Sequence, residues 1–156
     1  MACEKAAQAK AQTFREHKQL LMDLQFIPDD KLDWTPMGKA KTPEAIAVEC
    51  AGAYRWMAAM LRNDEGANQL WGDIAELRPG TREGIVKLLE EGWEDLAGAL
   101  DSLEEAQLAE KRQVFWGEET VGNLLVMAQW HSTYHSGQLN YIQTMLGDME
   151  MHMAMD

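Results

Sequence analysis

Proline sets the tightest limit on what this chain can build. It has no amide proton and its ring stops a helix from continuing. The 156-residue sequence has only four: Pro28, Pro36, Pro43 and Pro79. All of them stand before or between stretches rich in Ala, Leu, Met, Glu and Gln, residues that favour helix. β-branched residues are sparse, and no alternating apolar run supports a strand. The spacing predicts four long helices. The first covers about residues 3–25, with Ala7, Phe14, Leu20, Leu21 and Leu24 facing inward and His17 at the surface or boundary. A connector over 26–41 follows. Thr42-Pro43-Glu44 then combines a hydroxyl N-cap, a proline in the first turn and an early acid, which starts a second helix over 43–62. A link over 63–80 holds a short helical turn near 70–74. Thr81 caps a third helix to about residue 102. A second link, 103–119, contains Phe115-Trp116-Gly117, and a fourth helix runs from Thr120 or Val121 to Gly147. The expected fold is therefore all-α, a four-helix bundle in one domain over 1–156. Its long links permit crossovers, and 147–156 is expected to be peripheral.

Charge narrows the partners. Twenty-six acidic residues against 14 Lys and Arg give a net charge of −12, which argues against nucleic acid or an anionic membrane. Residues 120–147 carry no Asp, Glu, Lys or Arg, yet they hold His131, His135 and several amides, so they do not read as a membrane span. Cys3 and Cys50 are too few for a disulfide scaffold or a four-cysteine zinc site. They read as free thiols in a reducing cytoplasm, and residues 1–10 lack the apolar core of a signal peptide.

The informative residues are polar ones on apolar stripes. In the fourth helix Leu124, Ala128, His131, His135, Leu139, Ile142 and Leu146 recur every three or four positions. His131 and His135 therefore share one inward face, a spacing at which two imidazoles can hold one metal ion. Two core histidines bonded to neighbours would have the same spacing. In the second helix the stripe is Ile46, Cys50, Ala53, Met57 and Met60, with Glu49 on its inner flank. A buried carboxylate needs a partner. Rotation toward solvent, a pairing with Arg55 or Arg15, or a divalent cation shared with the histidine pair would each provide one. His131-Ser-Thr-Tyr-His135 has no Glu after its first His, which excludes the zincin arrangement. The Glu-x-x-His pairs of ferritin-type di-iron sites, phosphate loops and nucleophile elbows are also missing. Cys50 reads as an inert buried thiol, and Tyr134 and Trp130 as packing residues. The tail Met149-Glu-Met-His-Met-Ala-Met155 has soft-metal donors, but a frayed or partner-packing segment has the same composition.

Several segments together resemble the DinB/YfiT-like family. These are Phe115-Trp-Gly-Glu-Glu-Thr-Val121, His131-Ser-Thr-Tyr-His135-Ser-Gly137-Gln138-Leu139 and Leu146-Gly147. Upstream, Trp34-Thr-Pro36 and Thr42-Pro-Glu-Ala-Ile46-Ala-Val-Glu49 add to the likeness. The resemblance implies a bundle of up-down-down-up topology, often dimeric, with a metal on three histidines: one from the second helix and two from the fourth. His131 and His135 match two of them, and Glu49 stands at the third. The implied metal set is Glu49, His131 and His135 around a divalent ion (Zn, Ni, Fe or Mn). Gly137 would allow close helix packing, and Gln138 would orient a ligand. The implied activity is that of a metal-dependent enzyme on a small-molecule substrate. It would be either a transferase using a low-molecular-weight thiol or a hydrolase. The alternative is a non-catalytic, dimeric metal-binding or stress-related bundle protein.

Overall fold

The computed structural model of the chain describes residues 3–155; Met1, Ala2 and Asp156, at the ends of the expected domain and tail, lie outside them. Its helices are α1 (Glu4–Gln25), α2 (Pro43–Arg62), α3 (Ala67–Ala75), α4 (Arg82–Asp101), α5 (Val121–Leu124) and α6 (Met127–Met145). The caps are the ones the sequence offers. Thr42 Oγ1 accepts from the Ala45 amide at 3.1 Å, with Pro43 in the first turn, and Thr81 Oγ1 accepts from Gly84 at 3.1 Å. Asn63, in the left-handed region at φ 61°, ends α2.

Contacts between named side chains fix the directions of the four long helices. Lys10 bonds Asp101 and His17 faces Glu90, so α1 and α4 are antiparallel. Arg55 pairs with Glu91 and Arg62 with Asp95, so α2 and α4 run parallel. Glu49 lies beside His135, and the Tyr54 hydroxyl meets Ser132 Oγ at 2.9 Å, so α2 and α6 are antiparallel. The order is up, down, down, up. The parallel pair requires the chain to travel back along the bundle between α2 and α4, and the 63–81 link does this while forming α3 on the way. Gly92 lets α2 and α4 approach closely, because a Cβ there would sit 3.0 Å from the Ala51 carbonyl. Ile85, Leu89 and Leu96 of α4 are buried together with Leu20, Leu24, Met57 and Leu61, and each large apolar side chain removed from water contributes about 2 kcal/mol.

Four features differ from the sequence-based expectation. The inner face of α1 is Ala6, Ala9, Thr13, His17, Leu20 and Leu24; Ala7 and Phe14 face outward and His17 is buried. The 103–119 link contains a hairpin, Lys111–Val114 (β1) paired antiparallel with Gly117–Thr120 (β2), in the register Lys111 to Thr120 and Val114 to Gly117. Buried Arg112 in β1 donates to the Met60 carbonyl at 2.8 Å and so caps the end of α2. The expected fourth helix is broken around Leu125 and Val126 into α5 and α6. Finally, Gly137 does not serve helix packing, since a Cβ there would meet no described atom within 4 Å. The hairpin is minor, and the architecture remains an all-α bundle.

Candidate metal centre

The short α5–α6 offset leaves α6 as the helix that carries the histidine pair. One turn apart, His131 and His135 both point toward α2, and their Nε2 atoms stand 3.2 Å from each other. Both side chains are almost fully buried. The Glu49 carboxylate completes the group, with Oε1 3.9 Å from each histidine Nε2. The three sequence-predicted residues are thus brought together by two helices.

Hydrogen bonding orients the rings. His135 Nδ1 donates to Gln138 Oε1 at 2.7 Å, one turn further along α6. That bond puts the proton on Nδ1 and leaves the Nε2 lone pair directed into the group. His131 is held on its other side by the edge-to-face ring of Trp71 from α3, at 4.9 Å between centroids, and its Nδ1 has no partner. Burial, with the neighbouring His131, brings His135 down to about 4, so its imidazole is neutral at neutral pH. Burial would raise Glu49, but the nearby histidines and the ammonium of Lys41 outweigh it and hold the carboxylate at about 2. The group therefore sets a neutral His135 imidazole and a charged Glu49 carboxylate, the protonation states that metal ligation requires of those two, beside His131.

Lys41, from the connector before α2, forms a short hydrogen-bonded ion pair with Glu49 through Oε2. The partner is therefore neither Arg55 nor Arg15, the cations that the sequence offers for Glu49. Arg55 instead pairs with Glu91. Cys50 is the second residue that the sequence undervalued. Its Sγ and one ring nitrogen from each histidine lie within 4.8 Å of one another, a buried set that could hold a metal ion. As a thiol it is fully enclosed, and burial with the adjacent Glu49 charge pushes its ionisation far up.

The group opens into a cleft of about 1000 Å³ whose lining includes Lys39, Trp71, Trp130, Tyr134, Tyr141 and Met145 together with Lys41. Among the described residues lining the cleft, Glu49 is the sole carboxylate. The donors fit a divalent metal on chemical grounds. The Nε2 atoms of both histidines and an anionic oxygen converge within 4 Å, and the cleft leaves room for further ligands.

This all-α up-down-down-up bundle is a DinB-like fold. The chain belongs to the protein family of unknown function DUF1572, whose model matches residues 3–154. It is similar in structure to a DinB-like protein of Bacillus subtilis, YjoA, with a TM-score of 0.73 at 18% identity, over 95% of this chain and 99% of that one. It is also similar to an uncharacterized protein of Clostridium difficile 630, with a TM-score of 0.68 at 12% identity, over 94% of this chain and 99% of that one. At those identities the likeness speaks for the fold. No curated protein matches the chain. No helix among the described residues is long and apolar enough to cross a membrane.

Proposed function

We propose that this protein is a metal-dependent transferase that joins a low-molecular-weight thiol to a small electrophile, with Glu49, His131 and His135 as the metal ligands. The observation that carries the reading is the convergence of one carboxylate oxygen and two imidazole nitrogens at the floor of an open cleft. A metal bound there (Zn, Ni, Fe or Mn) supplies a Lewis acid that lowers the pKa of a thiol. The residues around it handle the rest. Gln138 holds His135 in the ligating tautomer. Trp71, Trp130 and Tyr134 give the substrate an apolar wall. Lys41, released from Glu49 when a cation takes that carboxylate, offers an ammonium to an acidic group on the thiol co-substrate. In the transfer the thiol proton leaves to solvent, the S–C bond forms, and the leaving group departs with its electron pair.

Hydrolysis is the weaker reading, because it calls for a base beside the ligands and the cleft has no second carboxylate. Glu49 is preferred to Cys50 as third ligand because it is already ionised and reaches the cleft, whereas Cys50 is enclosed. We further infer a homodimer. Support comes from Phe115, Trp116 and Val126, large apolar side chains that are exposed outside the cleft. Two free, buried cysteines support a cytoplasmic location.

The test uses untagged protein, stripped with a chelator and reloaded with each ion in turn, then assayed for metal-dependent thiol consumption with a panel of electrophiles. Glu49→Gln should weaken metal retention by about tenfold or more. Failure to retain any ion overturns the metal reading. Unchanged retention in Glu49→Gln removes Glu49 from the ligand set, and a sulfur-to-metal charge-transfer band in the Co(II)-loaded protein would put Cys50 in its place. Metal retention without thiol consumption favours the non-catalytic dimer.

A further inference from the structure

The segment after α6 is irregular in secondary structure but fastened to the bundle at regular intervals. The Gln143 amide donates to the Glu150 carbonyl at 2.9 Å. Gln19 of α1 uses both ends of its amide: Nε2 donates to the His152 carbonyl at 2.8 Å, and Oε1 accepts from the Ala154 amide at 2.9 Å. Backbone groups of alternate residues, 150, 152 and 154, thus point to one edge, as in an extended strand. The His152 ring stacks flat on Phe26 with 3.4 Å between centroids, and its Nε2 lies 2.9 Å from Asp148. The even-numbered residues are therefore the ones engaged with the bundle.

Period two then dictates where the odd-numbered residues go. Met149, Met151, Met153 and Met155 are 77%, 83%, 59% and 84% exposed. Four flexible thioethers stand in a row in water, on a backbone held extended by side chains that make no use of them. Burial does not account for them. Apolar residues kept in water on an anchored strand gain nothing from the fold, and leucine would be the ordinary choice for an apolar contact. What methionine adds is a soft, polarizable sulfur on three rotatable bonds. Neighbouring Met side chains two residues apart can bend toward a common point, and thioether sulfur selects soft cations. Glu150 and Asp148 on the same segment, in a chain of net charge −12, raise the local concentration of cations.

We propose that the row Met149, Met151, Met153 and Met155 forms a surface site for a soft monovalent cation, Cu(I), held by two or three neighbouring thioether sulfurs of the row at a time. The site is separate from the Glu49–His131–His135 group and does not depend on it. His152 serves as the anchor on Phe26 rather than as a ligand.

The experiment is a titration of the whole chain, labelled with 13C at the methionine methyls, with Ag(I) as the redox-inert stand-in for Cu(I). Cys3 and Cys50 also bind Ag(I), so the titration runs to three equivalents. The companion protein carries M149L, M151L, M153L and M155L, exposed substitutions that keep the apolar surface and remove the sulfur. The expected result is that methyl signals of the four tail methionines move together with one midpoint while Met57 and Met60 in the core stay fixed. The leucine variant should bind one equivalent fewer, both of Ag(I) and of Cu(I) in anaerobic competition with a colorimetric chelator. Zn(II) should leave the tail methyls unmoved whatever it does at the histidines, so the two sites stand or fall separately. Tail signals that stay put through three equivalents, or a leucine variant with unchanged stoichiometry, overturn the proposal.

Discussion

Two buried histidine environments sit in the same bundle and differ in almost everything except burial. His17 of α1 lies between Trp93, stacked at 5.5 Å, and Tyr54, edge-on at 5.6 Å. Its Nε2 faces Glu90 at 3.4 Å and its Nδ1 has no partner. It is a lone imidazole serving as an aromatic core residue. His131 and His135 are equally enclosed, but their nitrogens converge with a carboxylate at the bottom of a cleft. Burying a histidine is common to both. What separates a candidate site from core packing is several nitrogen and oxygen atoms gathered at one point that solvent can reach.

Substitution should divide the two regions cleanly. His131→Ala or His135→Ala should lower metal affinity on the order of 100-fold or more, measured by competition with a chromophoric chelator. His17→Ala should leave affinity unchanged and instead cost about 2–4 kcal/mol of stability through the cavity it opens, read from urea unfolding. Metal loss in the His17 variant would erase the distinction.

Acid should affect both regions in the metal-free protein. Burial lowers the pKa of His17, and His135 drops to about 4. The unfolded chain therefore takes up protons first, and stability falls as pH descends from about 6.5 through about 4. For His135 the loss amounts to at most about 3 kcal/mol. Glu49, held at about 2, extends the decline, since its contribution disappears as pH falls from about 4.5 toward 2. Thermal melting of stripped protein across that range checks the sign. A metal-loaded sample should resist the upper part of the decline.

Smaller effects test the support around the histidine pair. Gln138→Ala removes the acceptor that fixes His135, and metal affinity should drop about tenfold with little change in melting temperature. Lys41→Met removes the competing cation from Glu49. Metal affinity should rise about two- to fivefold, the scale of a partly exposed ion pair. A fall would mean that Lys41 helps to build the site rather than competing for it.

Much of this was legible in residue spacing, for identifiable reasons. The caps at Thr42 and Thr81 are local, so they can be read without the fold. The i, i+4 histidines and the flanking Glu49 follow from helical periodicity. The phase of α1 was not legible, because its inner face is Ala6, Ala9, Thr13 and His17, small or polar, while the large Phe14 packs over Trp93 at the rim. The hairpin was hidden because its two inward residues are Arg112 and Val114, so its apolar alternation disappears into a charged residue. Lys41 lies in a connector, where no period says which way a side chain turns. Cys50 was visible on the stripe, but only the packed helices show how near its sulfur comes to both rings.

The up-down-down-up order also has a consequence for how the molecule is made. α1 packs against α6, so the two outer helices in bundle order are neighbours, joined through Asp23 and Ser136, which lie 113 residues apart. Contacts that span so much chain close slowly, because loop entropy must be lost before they form. On the ribosome, α1, α2 and α4 emerge with one side of the bundle uncovered, and they wait for α6. The histidine pair arrives with α6, so a nascent chain cannot assemble the donor cluster before that helix has emerged, and any ion it is to hold must be taken up after that point.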